Sequence, residues 1–253
     1  MTAARSFTDL TSAEAGAQVR GATLVWPIGT IEQHGPHLPL SVDIDIPQAL
    51  ARAVAARLGG YLVPVHSIAA RSLPQSGGGL SFPGTVYVRG AVLVEYLRDA
   101  VASLMDLRPG RLVVINGHYE NEALIYEALD LCRTAGALGS AEVFAFSWWS
   151  LVHETWLSEH VPKFPGWHAE HAGFTETSLM LHLRPELVTP VRPVHDTPPH
   201  PGVYLHPADH RQLSHQGALS SSELASAEAG ESLFGHVVHN ICELVRVGHG
   251  VLR

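Results

Sequence analysis

Positive charge is scarce in this 253-residue chain: 16 lysines and arginines stand against 24 aspartates and glutamates, a net charge of -8, and no basic run occurs. Nucleic acid and anionic membrane bind through clustered Lys and Arg, so neither is expected as a partner. No stretch approaches the roughly 18 uninterrupted apolar residues of a membrane-spanning helix, and the opening segment MTAARSFTDLTSAEAGAQVRG lacks the apolar centre of a signal peptide. The expectation is a soluble, cytoplasmic protein. There are only two cysteines, Cys132 and Cys242, in apolar contexts and without metal-site spacing. That excludes a disulfide framework and points to buried free thiols. Charged residues make up only 16% against 46% hydrophobic, which leaves material for a sizeable core and little reason for disorder.

Histidine, by contrast, is plentiful at 17 residues. It is the common metal ligand and the side chain that titrates nearest neutrality, so its clusters carry the functional reading.

The first 150 residues alternate between short runs rich in β-branched or aromatic residues and longer runs with apolar residues three and four apart. The short runs, at 22–29, 61–65, 111–116 and 141–147, predict buried strands. The longer ones, at 46–59, 90–107 and 121–136, predict helices that end near Gly or Pro. Strand and helix in series predict an α/β fold, a mostly parallel sheet with helices on both faces. Residues 170–183 predict a further helix, stopped by Pro185, and 221–247 a last one, broken near Gly230 or Gly235, with the serines at 220–222 suiting its start. The Pro- and His-rich segment 185–210 predicts an extended loop or arm. Residues 1–20 read as an N-terminal extension to a single domain over 1–253.

Four places concentrate chemistry. The segment PIGTIEQHGPHLPLSVDID (27–45) places Glu32 and His34 two residues apart, so in extended chain they point the same way. Pro36 and Pro39 turn the chain to deliver Asp43. NGHYEN repeats the spacing with acid and base exchanged, as His118 and Glu120. Each pair follows a predicted strand, and in a parallel sheet ligands gather beyond the carboxyl ends of strands. Each pair alone is weak and could be a hydrogen-bonded turn. Together these five residues match a site for two zinc or manganese ions. His37 reads as a supporting residue and Asp45 as a helix-cap acid. The third place, SGGGLSFPGT (76–85), has no following Lys or Arg for a phosphate, and reads either as a tight loop lining a small-molecule pocket, with Ser76 able to bind a ligand, or as a plain surface turn. The fourth, GWHAEHAGFTETS (166–178), holds Trp167, His168, His171 and Glu176 at a predicted helix start.

GTIEQHGPHLPLSVDI, SGGGLSFPGT, NGHYEN and EHAGFTETSLM together resemble the creatininase family in order and spacing, from about Ala22 to Val247. The resemblance implies a hydrolase of cyclic amides, creatinine first among them, in a three-layer hexameric protein with two divalent ions, Zn²⁺ or Mn²⁺. It implies that Glu32, Asp43 and His118 hold one ion and His34, Asp43 and Glu120 the other, with Asp43 shared. His171 would transfer a proton, and Glu120 would stand with it among the catalytic groups. Ser76, Tyr119, Trp149, Trp167, His168 and His171 would touch substrate. In one departure, His168 occupies a position where the family has aspartate. An imidazole cannot read the N–H groups of creatinine as a carboxylate does, so another lactam, or a formamide-type substrate, is an alternative. A non-catalytic metal-binding protein is a more distant one.

Overall fold

Residues that alternate across a strand can all be apolar only if both faces of the sheet are covered. The computed structural model describes residues 4–77, 79–161, 163–195, 202–204, 206–207, 214 and 216–248, and shows how that covering is made. In chain order the elements are β1 (Arg5–Ser6), α1 (Ser12–Gln18), β2 (Thr23–Ile28), α2 (Val42–Leu58), β3 (Tyr61–Leu62) and α3 (Pro74–Gly77). There follow α4 (Gly90–Met105), β4 (Arg111–Asn116), α5 (Asn121–Thr134), β5 (Glu142–Ser147), α6 (Glu154–His160), α7 (Phe174–Leu183) and α8 (Ala227–Val247). The strands form one parallel sheet in the order β1-β3-β2-β4-β5. Val25, Val113 and Ile115 face one layer with Leu50 of α2, Leu179 of α7 and Ile241 of α8. Leu24, Trp26, Leu112 and Val114 face the other, with Leu97 of α4 and Ile125 of α5. Both cysteines are buried free thiols. Among the described residues no helix is long and apolar enough to cross a membrane.

The structure corrects the predicted elements in four places. Residues read as an N-terminal extension supply β1, an edge strand beside β3. The run at 61–65 shortens to two strand residues because Pro64 has no N–H for the ladder. Helix α2 starts at Val42 instead of 46, so Asp43 lies in its first turn and not in a loop. Asp45 is likewise inside the helix, where it accepts from the Ser41 hydroxyl at 2.7 Å instead of capping. Finally, α8 begins after Ser226, whose hydroxyl accepts from the Ala229 N–H at 3.1 Å, and it runs unbroken through both glycines. Of the 185–210 arm, 196–201, 205 and 208–210 lie outside the described residues; Pro185–Leu187 form one 3-10 turn.

Gly230 is needed for contact, not for flexibility: a Cβ there would overlap the Ser178 carbonyl of α7, whereas Gly235 faces open space. Gly230→Ala should therefore destabilise the protein by about 1–3 kcal/mol through overpacking. Gly235→Ala should stabilise it by up to about 1 kcal/mol through helix propensity. Denaturant unfolding of the two variants checks this, and shifts of the same sign would contradict the packing argument.

Candidate metal centre

Two loops leave the sheet side by side, after β2 and after β4, the adjacent strands from which the chain runs in opposite directions across the sheet. The first residue of each loop is glycine. A Cβ on Gly29 would overlap the Asp43 carbonyl, and one on Gly117 would lie 2.6 Å from that carbonyl and 2.6 Å from the Pro47 ring. Pro47 has no N–H to offer the Asp43 carbonyl across the helical turn. The start of α2 therefore rests directly on the two strand ends, and the Asp43 side chain falls between the loops.

The side chains meet there. His118 Nδ1 lies 3.0 Å from Glu32 Oε2 and 3.0 Å from Asp43 Oδ2. His34 Nε2 lies 3.2 Å from Asp43 Oδ1 and 3.6 Å from Glu176 Oε2. Asp43 thus stands between the two histidines. His171 stacks beside His34 with ring centroids 4.3 Å apart, and its Nδ1 is 3.9 Å from Glu32 Oε2. Glu120 is fixed at one oxygen, where Oε1 accepts from the Leu73 N–H at 2.7 Å and the Ser76 hydroxyl at 2.6 Å. Its Oε2 is 3.2 Å from His118 Nε2. Gly77 in the glycine run makes room for this arrangement, because a Cβ there would overlap the Glu32 carboxylate.

A small cavity of about 30 Å³ lies over the cluster. Ser76, Tyr119, Trp149, Trp167 and His171 line it, as does Trp148, which follows directly on the predicted strand 141–147 and carries no local signal of a site. Trp148 packs edge-on against both other tryptophans, at 5.6 and 5.7 Å between centroids, and so sets the angle of the aromatic walls. His168 does not line this cavity; it lies on a neighbouring, larger one. His37 supports from behind, its Nε2 2.9 Å from the Thr177 hydroxyl.

Comparison with known proteins matches residues 8–245 to the family model described as Creatininase: Creatinine amidohydrolase. The chain belongs to the creatininase family. It is 38% identical over 241 residues to a creatinine amidohydrolase of Pseudomonas putida, covering 92% of each chain. It is 30% identical over 231 residues to a mycofactocin precursor peptide peptidase of Mycolicibacterium smegmatis, covering 87% of this chain and 83% of that one. A mutant creatininase described as Zn-Zn type superposes with a TM-score of 0.88 at 35% identity, over 95% of this chain and 96% of that one. A creatininase described as Mn does so at 0.89 and 35%, over 96% and 98%. The fold is the α/β fold of those creatininases, and the chain is a metal-dependent hydrolase of that family.

The donor set fits divalent cations. Glu32, Asp43, His34 and His118 are almost wholly buried, and no Lys or Arg lines the cavity among the described residues. Buried carboxylates without a positive partner are costly, so something cationic must offset them. Glu32 Oε1, His34 Nε2 and His118 Nε2 are buried with no aligned hydrogen-bond partner. Glu32, Asp43 and His118 form one set of convergent donors, and His34, Asp43 and Glu176 form a second. Here the structure departs from the sequence expectation. Glu176 of α7, not Glu120, converges with His34 and Asp43, while Glu120 is turned toward Leu73, Ser76 and His118. The sequence signal for Glu176 was its place at the start of a helix five residues after His171, which says nothing about distance from His34.

Without a cation the cluster holds protons. Burial raises the Glu32 carboxyl to about 7, although His118 pulls the other way. Burial lowers the basicity of His34 and His118, but Asp43 and Glu176 beside the first, and Glu32 and Glu120 beside the second, outweigh it and hold both well above the usual imidazole value. For Asp43 the same histidines outweigh burial and keep the carboxyl below its ordinary range. Glu32, His34 and His118 titrate higher folded than unfolded, so the stability they contribute is present at acid pH and lost as pH rises; for Glu32 the loss runs from 4.5 up through about 7. Asp43, shifted downward, contributes constantly across that window. Thermal melts in chelator should therefore fall as pH rises from about 5 to about 8. Added Zn²⁺ or Mn²⁺ should raise the melting temperature more at the upper end, because its ligands must first lose protons. A metal-induced shift independent of pH would contradict this account.

Proposed function

We propose that the chain hydrolyses a small cyclic amide with the help of two divalent ions, Zn²⁺ or Mn²⁺, and that creatinine, opened to creatine, is the first substrate to test. The observation that carries the reading is the convergence of Glu32, His34, Asp43, His118 and Glu176 beneath a tryptophan-walled cavity. Glu32, Asp43 and His118 would hold one ion, and His34, Asp43 and Glu176 the other. When bound, such ions polarise a carbonyl and bring the pKa of water toward neutrality.

The protein's own groups supply orientation and proton transfer. Gln33 Nε2 lies 3.0 Å from His171 Nε2, and it also donates to the carbonyls of Gly77 at 2.7 Å and Gly217 at 2.9 Å. Its Oε1 accepts from the Gly35 N–H at 3.0 Å, so the amide cannot be turned round. The amide nitrogen carries only two hydrogens and the two carbonyls take them, so its contact with His171 Nε2 places the ring without fixing which ring nitrogen holds the proton. Burial, together with His34, holds the His171 imidazole well below its usual pKa. A proton released by the attacking water and passed to His171 is therefore readily handed on to the departing ring nitrogen, so that the proton lost by water ends on the product. Glu120, anchored through Oε1, keeps Oε2 to take a proton from the attacking water. Trp149 and Trp167 would stack on a flat ring and exclude water, and Ser76 and Tyr119 would contact its edge. A cytoplasmic homohexamer belongs to the same reading. The position of His168 outside the inner cavity supports a second substrate reading, another lactam or a formamide-type amide.

Elemental analysis distinguishes the two glutamates. Glu176→Gln should lose about one equivalent of metal, whereas Glu120→Gln should keep both and lose turnover through the missing proton acceptor. Equal metal loss in both would restore Glu120 as a ligand. Separately, His171→Ala should keep its metal and lose about 100- to 10,000-fold in kcat. The assay is a panel of creatinine, creatine, hydantoins, small lactams and N-formyl compounds, and near-normal turnover by that variant would remove His171 from the reaction.

A further inference from the structure

The inner cavity shares Ser76, Tyr119 and Glu120 with a second cavity of about 690 Å³. A small ring over the cluster would leave that larger space empty. Leu73, Tyr87 and Leu124 make its walls largely apolar, and its charged groups are Arg71, Arg89 and the already anchored Glu120. In a chain with a net charge of -8, neither arginine forms an ion pair with a described carboxylate. Both arginines are exposed, and the backbone on either side of Arg71 is tied to residues of the loop after β4 and the start of α5. The Ala70 N–H before it donates to Asn121 Oδ1 at 2.9 Å, and the Leu73 N–H after it donates to Glu120. Its guanidinium lies 5.9 Å from the Tyr87 ring centroid. Arg89 precedes the first turn of α4, which has no side-chain cap. His168 completes the set. Gly166, with φ +96, brings the backbone so near the imidazole that a Cβ would lie 2.8 Å from the ring. Among the described residues, the cavity is thus lined by two arginines and a histidine, and its one acid is committed elsewhere.

We propose that this outer cavity binds the remainder of a substrate whose scissile amide occupies the inner one, and that this remainder is an apolar chain ending in a carboxylate read by Arg71, Arg89 and His168. The inference rests on the amidohydrolase reading and narrows its second substrate class, another lactam or a formamide-type amide, to acid-tailed amides. A guanidinium meets a carboxylate with two parallel N–H bonds, which makes the acid, rather than its ester, the preferred ligand.

The test compares ω-acetamidoalkanoic acids of graded chain length with their methyl esters. With metal-loaded enzyme, kcat/KM for the best acid should exceed that of its ester by about tenfold, the order expected of partly exposed ion pairs. The preference should shrink as salt is added. An Arg71→Gln/Arg89→Gln/His168→Gln variant should process acid and ester alike, and an Arg71→Lys/Arg89→Lys variant, which keeps the charge, should retain part of the preference. Equal rates for acid and ester in the wild type, or a preference that survives the glutamine variant, would overturn the proposal. Calorimetric binding of the same pairs to metal-free protein separates it from the reading beneath it. If loaded enzyme cleaves no acid, ester or lactam, the amidohydrolase reading fails. Tighter binding of acids than of esters would then still uphold the outer site, and equal binding would sink it as well.

Discussion

The site depends on one carboxylate held at the junction of two loops and a helix. Asp43 reaches His34 with one oxygen and His118 with the other, so each histidine is oriented by the same side chain. That is possible only because the first turn of α2 lies against the ends of β2 and β4, and it lies there because Gly29 and Gly117 have no Cβ and Pro47 has no N–H. A larger residue at either glycine would lift the helix and pull Asp43 from between the histidines. The electrostatic consequence follows from the geometry. Five carboxylates (Glu32, Asp43, Glu120, Glu170 and Glu176) and three imidazoles (His34, His118 and His171) gather about one small volume without a lysine or arginine among the described residues, and only protons or cations can balance them.

Around that centre the binding surface divides into two parts with different chemistry. The inner cavity is acidic and aromatic and suits the reacting amide; the outer one is apolar with a positive rim and suits what is attached to it. Glu120 and Ser76 stand where the two meet, tied to each other and to the segment that carries Arg71. A substrate bridging both cavities would press on the same short stretch of chain that positions a catalytic carboxylate. Family membership spans relatives named for creatinine and for a peptide, so the residues around the metals, more than the metals, decide what is cleaved.

His171 shows how a neighbour without charge can set the place of an imidazole beside the cluster. Gln33 lies between two residues of the E-x-H pair and was passed over for that reason. Its amide is pinned by two carbonyls and one N–H, and its contact with His171 Nε2 at 3.0 Å fixes where the imidazole lies. Glu170, beside His171, serves the backbone: it accepts from the Thr175 N–H at 2.5 Å and the Ser220 hydroxyl at 3.1 Å, and so holds the loop that delivers His171 and Glu176.

Local pattern was enough to read the alternation of strands and helices, the covered parallel sheet and the two E-x-H and H-x-E pairs, because periodicity and a two-residue spacing are properties of neighbouring residues. Helix ends were less legible. Asp43 and Glu176 lie in first turns whose starts depend on contacts with distant chain, and Gly230, which by propensity should break α8, is retained by its closeness to α7. Which acids converge on His34 and His118, which cavity His168 lines and what lies against His171 come only from tertiary structure. Each depends on distances between segments up to about 180 residues apart, and those distances come from packing the core, not from any local sequence preference.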